Sequence, residues 1–299
     1  MDAEHNEFAR HLVRSDGSAV SRDVVTGYFS GKQWCSIDDR GDEVFVTCDN
    51  EDTGVRFHFV WSARDKNDDL PFIRRKAGLV FEMALIRPGF FALEAMPLVA
   101  DFCRQSNLRI KDATSAPDAS TLVDEWHREN QHAVHRNAGG APRLSVPREK
   151  SVEWWKYQRQ RAALERDLVR EDVFVPSILV LKEKLRLDLF FAVAWTQAIP
   201  IVLPRVDQII VDRASAKSRK KPKLFRISYA QIVAGLGEWL KPFDGPVPGL
   251  RILRKKDHAA ALKVFNTLPV LPADDYAGLS FKFIPASANF VDSEDQRPH

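Results

Sequence analysis

Short catalytic signatures are missing from this sequence. It has no G-x-S-x-G elbow, no G-x-x-x-x-G-K-[ST] phosphate loop, no G-x-G-x-x-G behind a strand and no H-E-x-x-H helix. Glycine is also scarce, at 14 of 299 residues, although the shaped loops of enzymes often depend on it. These absences favour a binding protein over an enzyme, and we expect no catalytic, cofactor-binding or metal-binding residues.

Cysteine is scarce as well. Cys35, Cys48 and Cys103 are too few for a disulfide framework, and their spacing matches no zinc pattern. We therefore expect three reduced thiols in a cytoplasmic protein.

Long hydrophobic runs are absent. The longest apolar stretch, 187–203, is interrupted by Asp188, Gln197 and Pro200, so it cannot supply the ~20 apolar residues of a membrane helix. The first ten residues, MDAEHNEFAR, lack the basic start and apolar run of a secretory signal. We expect no membrane partner.

The composition is that of a folded protein with an uneven charge distribution. Apolar residues make up 44% and charged residues 28% of the chain, which excludes global disorder. The net charge is +3, a smaller basic excess than proteins that depend on phosphate contacts usually carry. Residues 1–145 sum to −5 and residues 146–299 to +8.

The length predicts two domains. The segment RNAGGAPRLSVPREK at 136–150 contains turn formers without apolar periodicity, which is typical of a linker. We place an N-terminal domain at 1–140, a linker at 141–150, a C-terminal domain at 151–290 and a disordered tail at 291–299.

Both halves mix strand and helix patterns. VRFHFVWSA alternates with period two, and GFFALEAMPLVADFCRQSN repeats apolar residues at helical spacing. DRGD between two apolar runs predicts a hairpin, and Ser120 is expected to cap a helix that extends to His135. The predicted fold is α+β, with two two-layer sandwich domains, mostly antiparallel sheets and a roughly ferredoxin-like content in each.

An acidic tract spans the predicted hairpin and the turn after it. Its members, the candidate partner-binding residues, are Asp38, Asp39, Asp42, Glu43, Asp49, Glu51 and Asp52. Such a patch steers a basic partner towards itself. Ordinary charged turns, which are common, are the favoured interpretation, and a partner surface is the main alternative. A divalent metal site is the remaining alternative, although no D-x-D-x-D-G loop is present.

A tryptophan pair supplies a further partner-binding candidate. Trp154 and Trp155 are adjacent on a predicted helix, so their side chains point about 100° apart. Both cannot face one core well, and we expect one of them to contact the other domain or a partner, with Trp154 as the candidate.

Two other clusters favour a structural interpretation. His127, His132 and His135 share a predicted helix and could bind a metal, but a solvated helix face is the favoured interpretation. The basic run 217–226 could follow a nucleic-acid backbone. It contains only Phe225 for base stacking, and a mobile loop explains it equally well, so we do not expect a nucleic-acid partner.

Several segments together resemble one family. GLVFEMALIRPGFFALEAMPLV, followed by LRIKD, resembles a strand–Arg-Pro–helix block of proteobacterial immunity proteins, which are encoded beside type VI secretion effectors. Further parts of the same family are similar to DEWHRENQHAV, EWWKYQRQRAALE, DVFVPSILVL and VAWTQAIPIVLPRVDQIIVDR, so the resemblance spans most of 55–213. The sequence departs from the family at RIKDATS, where Pro-Gln is expected after the Asp, and in its lysine-rich loop.

The resemblance implies a non-enzymatic inhibitor that binds a cognate toxin in the cytoplasm and blocks its active site or its assembly. The acidic first half would suit a basic toxin such as a nuclease. Two alternatives remain: a nucleic-acid-binding protein that uses the basic loop 217–226, and an enzyme with His58 or Glu82 as acid or base. Homo-oligomerisation is left open.

Overall fold

The chain forms two compact units in a computed structural model. Unit 1 comprises Met1–Arg143 together with Asn289–His299, and unit 2 comprises Leu144–Ala288. The fold is α+β with mostly antiparallel sheets, as predicted. The structure describes residues 6–64, 66–67, 74–75, 77–137, 143–182, 189–212, 224–272, 282–283 and 290–296.

Unit 1 is built on a six-stranded antiparallel sheet. The first eight strands of the unit, two of which lie outside this sheet, are β1 (Glu7–Arg14), β2 (Cys35–Asp39), β3 (Glu43–Asn50), β4 (Val55–Ser62), β5 (Lys66–Asn67), β6 (Arg74–Arg75), β7 (Gly78–Ala84) and β8 (Leu108–Ile110). The sheet order is β2-β3-β4-β7-β1-β8, while β5 pairs with β6 separately. With one helix before the four-stranded meander and one after it, this order extends the ferredoxin-like pattern by two strands.

The core of unit 1 lies between one face of this sheet and its helices, α1 (Arg22–Phe29), α2 (Phe90–Gln105) and α3 (Ala119–Arg136). Strand alternation places Phe57, Phe59 and Phe81 on that face, each at most 5% exposed. The rings of Phe29 on α1 and Phe102 on α2 pack against Phe59, with centroids 4.7 and 5.4 Å away. Aromatic packing therefore joins both helices to the sheet.

The corner between β7 and α2 is strained and is held by one side chain. Ile86 has a φ of 62°, which a β-branched residue rarely adopts. Its N–H donates to Oδ1 of Asn130 on α3 at 2.8 Å. The fully buried Asn130 also donates through Nδ2 to the Arg87 carbonyl and to Oδ2 of Asp295, both at 3.3 Å. Asn130 thus joins this corner to the C-terminal segment of the unit.

That C-terminal segment is folded onto unit 1. It contains a strand, Phe290–Asp292, and a 3-10 helix, Ser293–Gln296. Asp292 is fully buried and accepts a hydrogen bond from the Gly89 N–H at 2.9 Å, where its charge also complements the dipole of α2. The prediction of a disordered tail at 291–299 is therefore wrong for residues 291–296, because their side chains find partners on α2 and α3.

A disulfide joins the two strands of the β2–β3 hairpin. Cys35 and Cys48 lie directly opposite each other, with their Cα atoms 4.1 Å apart. The expectation of three reduced thiols is therefore wrong for this pair, while Cys103 is free and buried. The predicted DRGD turn contained the signal, because closing a hairpin there sets position 35 opposite position 48.

Unit 2 contains two further sheets. Its strands are β9 (Leu144–Val146), β10 (Leu179–Lys182), β11 (Leu189–Ala194), β12 (Ile201–Leu203), β13 (Gln208–Asp212), β14 (Leu224–Ser228), β15 (Lys241–Pro242), β16 (Arg251–Leu253), β17 (Leu271–Pro272) and β18 (Lys282–Phe283). A six-stranded sheet has the order β17-β14-β13-β11-β10-β18, and a three-stranded sheet has the order β12-β16-β15. β11 and β13 run parallel, and the other paired strands of these two sheets run antiparallel.

The helices of unit 2 are α4 (Arg148–Leu168), α5 (Tyr229–Leu236) and α6 (His258–Phe265). Ser228 begins α5 with a capping box that it shares with Gln231. Among the helices that the structure describes in either unit, none is both long enough and apolar enough to cross a bilayer.

Two predictions about irregular segments in this half need correction. Much of the predicted linker 141–150 is regular, because β9 occupies 144–146 and α4 begins at Arg148. Residues 217–223 of the basic run lie outside the described residues. Arg226, its last member, belongs to β14 and is 7% exposed, so it is not part of a loop.

Candidate binding site

A cavity of about 380 Å³ opens in unit 2, lined by the start of α4, by β11 and by the start of α5. Its buried walls are Trp154, Ile178, Phe191 and Val206, which are between 2% and 8% exposed. Polar side chains lie around them. Cavities with apolar walls and a few placed polar groups are the usual shape of a binding site.

Both members of the tryptophan pair are buried, and Trp154 lies at the floor of the cavity. Trp154 is 2% exposed and stacks on Phe191, with an interplanar angle of 24° and centroids 6.4 Å apart. Trp155 is also buried, at 7% exposure, and the Arg159 guanidinium covers its ring at 5.2 Å. Both side chains are therefore buried, contrary to the expectation that the two cannot both face one core well, because α4 is covered over a wider arc than a single stripe.

An ion pair between Lys150 on α4 and Asp207 joins the polar side of the cavity to the sheet. The other oxygen of Asp207, Oδ2, accepts a hydrogen bond from the Phe191 N–H at 2.9 Å. The Asp207 carbonyl accepts from the Tyr229 N–H at 3.1 Å, at the start of α5. Asp207 thus fixes the three elements that line the cavity relative to one another.

The rim of the cavity carries exposed charges. Glu149 and Glu153 are four residues apart on α4 and therefore share one helix face, and Arg205 lines the cavity as well. Within the described part of the chain, none of these three side chains forms an ion pair. They are available to a ligand, unlike Lys150 and Asp207, which neutralise each other.

The hairpin separates the predicted acidic tract into two groups. Asp38 and Asp39 end β2, Asp42 lies in the turn and Glu43 begins β3. The other group, at the far end of β3, comprises Asp49, Glu51 and Asp52. β3 is seven residue steps long, so its two ends lie roughly 24 Å apart.

Arginines neutralise part of each group. Asp38 pairs with Arg40 at 2.6 Å, Asp39 with Arg22, and Asp49 with Arg56. The Arg22 guanidinium beside Asp39 holds the pKa of that carboxyl below its usual value. Glu43 is 7% exposed and so is not a surface residue. Asp42 and Glu51 are the exposed carboxylates best placed for an incoming partner.

The alternative acid and base, His58 and Glu82, lie side by side on the sheet of unit 1. They are directly opposite each other on β4 and β7, on the face away from Phe57. His58 Nδ1 lies 3.2 Å from Oγ1 of Thr47. Burial lowers the pKa of His58, and the nearby Arg56 charge adds to this.

The three histidines of α3 do not come together. His132 is exposed and His135 half-buried, while a Cε1 of His127 points at the start of α2, 2.6 Å from where a Cβ on Gly89 would lie. No group of three or more His, Cys, Asp or Glu side chains suited to a metal occurs among the residues described.

Sequence reasoning identified Trp154 but missed the rest of the cavity. Its lining residues are spread over 149–230 and come from α4, β11, β14 and α5 and from the segments around 178 and 205–207. The local pattern offered one usable signal, since Glu149 and Glu153 flank Lys150 next to an aromatic pair.

Comparison with known proteins gives no match: no family model, no curated protein and no solved structure matches this chain. The resemblance to immunity proteins therefore rests on the quoted segments.

Proposed function

We propose that the chain is a non-enzymatic immunity protein, which binds and neutralises a cognate type VI secretion toxin of basic character, such as a nuclease. The observation that carries the proposal is the cavity of unit 2. Trp154 and Phe191 stack at its floor, and Lys150 and Asp207 form an ion pair with each other. The charged side chains of its rim form no ion pair among the described residues. Interface hot spots have this composition.

The central ion pair of the cavity favours recognition over chemistry. The Lys150 ammonium is neutralised by Asp207, and Asp207 also holds the Phe191 N–H. A catalytic acid or base needs a proton that it can exchange with a substrate. Both groups are instead committed to holding the cavity walls in place.

Charge supports a basic partner. Residues 32–56 together with Arg22, which pairs with Asp39, contain seven carboxylates and four basic side chains, a net charge of −3, in a chain whose total is +3. A local field of this sign raises the association rate of a cationic protein.

Co-expression with the product of the adjacent open reading frame tests the proposal. We expect the chain to restore growth that this product inhibits and to co-purify with it. Reversing Asp42 or Glu51 should slow association severalfold at low salt, whereas reversing Glu238 in unit 2 should not. Failure to rescue growth, together with no co-purification, would contradict the proposal.

The proposed place of action is the cytoplasm. Disulfides are rare there because cellular thiols keep cysteines reduced. The Cys35–Cys48 bond therefore sets a second test, in which cells are alkylated rapidly and the trapped thiols are counted by mass spectrometry. If only the oxidised form neutralises the toxin, the place of action is an oxidising compartment instead.

A further inference from the structure

We infer that the cavity of unit 2 receives a large apolar side chain of a protein partner, and that a basic residue lies next to this side chain in the partner. The inference rests on the proposed function, because it takes the occupant to belong to a protein.

The buried floor of the cavity favours an apolar side chain as its occupant. Trp154, Phe191, Ile178 and Val206 are buried residues that nevertheless line open space of about 380 Å³. An apolar side chain inserted there loses its contact with water and gains dispersion contacts with two aromatic rings. A charged side chain at that depth would lose its hydration without a charged partner at the floor.

The charges at the rim of the cavity favour a basic residue next to that apolar side chain. Lys150 and Asp207 cancel each other, so the charges that face a ligand are Glu149, Glu153 and Arg205. Two carboxylates on one helix face outweigh one guanidinium, and the rim is therefore net acidic. Exposed ion pairs are weak, so the rim selects among partners only by about two- to fivefold.

Three capped dipeptides distinguish the contribution of the apolar side chain from that of the basic residue. We would titrate the full ¹⁵N-labelled chain with N-acetyl-Phe-Lys-amide, N-acetyl-Phe-Glu-amide and N-acetyl-Ala-Lys-amide, and follow the amides of Phe191 and Tyr229 and the indole of Trp154. Phe-Lys should bind at least about tenfold more tightly than Ala-Lys, because only the former fills the floor. It should also bind about two- to fivefold more tightly than Phe-Glu at low salt.

Three exposed positions provide the variants. Glu153→Lys should invert the preference between Phe-Lys and Phe-Glu. Ala230→Trp should fill the entrance and abolish the shifts, and since residue 230 is exposed on α5 the fold should tolerate it. Glu238→Lys, on a surface outside the cavity lining, is the matched control and should leave all three affinities unchanged.

Several results would overturn the inference. These are equal binding of Ala-Lys and Phe-Lys, a preference that Glu153→Lys does not invert, or no shift at several millimolar peptide. Because the peptide assay contains no toxin, its failure is distinguishable from failure of the proposed function. Growth rescue that survives Ala230→Trp would likewise leave the immunity role standing and remove the cavity from the interface.

Discussion

Replacing Asn130 by alanine should destabilise unit 1 more than any surface change on α3. The carboxamide accepts from the Ile86 N–H at 2.8 Å and donates to Asp295 at 3.3 Å, and the residue is fully buried. A buried N–H without its acceptor costs about 1–3 kcal/mol, and a lost hydrogen bond to a charged group costs about 1.5–3 kcal/mol. We therefore expect Asn130→Ala to lower the free energy of unfolding by about 3–5 kcal/mol.

Urea unfolding of the full chain, followed by circular dichroism and by tryptophan fluorescence, measures this loss. His132→Ala is the control on the same helix, and because His132 is exposed it should change stability by less than about 0.5 kcal/mol. Asn130→Asp is more informative, since it keeps the acceptor for Ile86 but sets a second carboxylate beside Asp295. It should be less stable at pH 7 than at pH 5, where one carboxyl can take up a proton.

A loss of under about 1 kcal/mol for Asn130→Ala would refute the reasoning, because it would show that Ile86 keeps its left-handed backbone without this acceptor. An Asn130→Asp variant with the pH dependence of the parent chain would separately exclude the contact with Asp295.

Three further outcomes are expected. The native chain should show no reactive thiol towards a disulfide reagent near neutral pH, since burial raises the pKa of Cys103 to about 12. Unfolding without a reductant should expose one thiol and reduction should expose three, so three thiols in the unfolded, unreduced chain would contradict the disulfide. Gly89→Ala should lower the free energy of unfolding by about 1–3 kcal/mol, because its Cβ would lie 2.6 Å from a carbon of His127. Gly27→Ala, on α1 with open space around the new methyl group, should instead raise it by about 0.5–1 kcal/mol. Equal effects of the two changes in urea unfolding would argue against the close approach of His127 to Gly89. The pKa of His58 is lower in the folded chain than in the unfolded chain, so its contribution to stability is complete above the unfolded pKa near 6.5 and is lost as the pH falls below that value. The melting temperature should therefore depend less on pH between 7.5 and 5.5 in His58→Gln than in the parent chain. The same pH dependence of the melting temperature in both would contradict this contribution of His58.

Local patterns predicted the elements whose burial alternates along the chain. The period of two in VRFHFVWSA corresponds to β4, and the apolar stripe of GFFALEAMPLVADFCRQ to α2. Helix α3 was also predicted, but its N-cap is Asp118 and not Ser120. The Asp118 carboxylate accepts from two backbone N–H groups, of Ser120 and Thr121, which a hydroxyl at position 120 could not do.

Long-range contacts were beyond this kind of prediction. The tail at 291–296 has a polar sequence, and its order depends on Asn130 and Gly89, which lie more than 150 positions away. The cavity likewise depends on a parallel pairing of β11 with β13 that places Asp207 beside Phe191. No periodicity within a window of ten residues contains that information.

Because unit 1 takes its final segment from Asn289–His299, its two parts leave the ribosome at different times. All of Leu144–Ala288 must be translated before Asp292 can reach the first turn of α2 and Asp295 can reach α3. A nascent chain that stalls inside unit 2 therefore exposes Gly89 and Asn130 without their acidic partners. Quality-control proteases would encounter such a chain while Asn130, which holds the corner at Ile86, still lacks its hydrogen bond to Asp295.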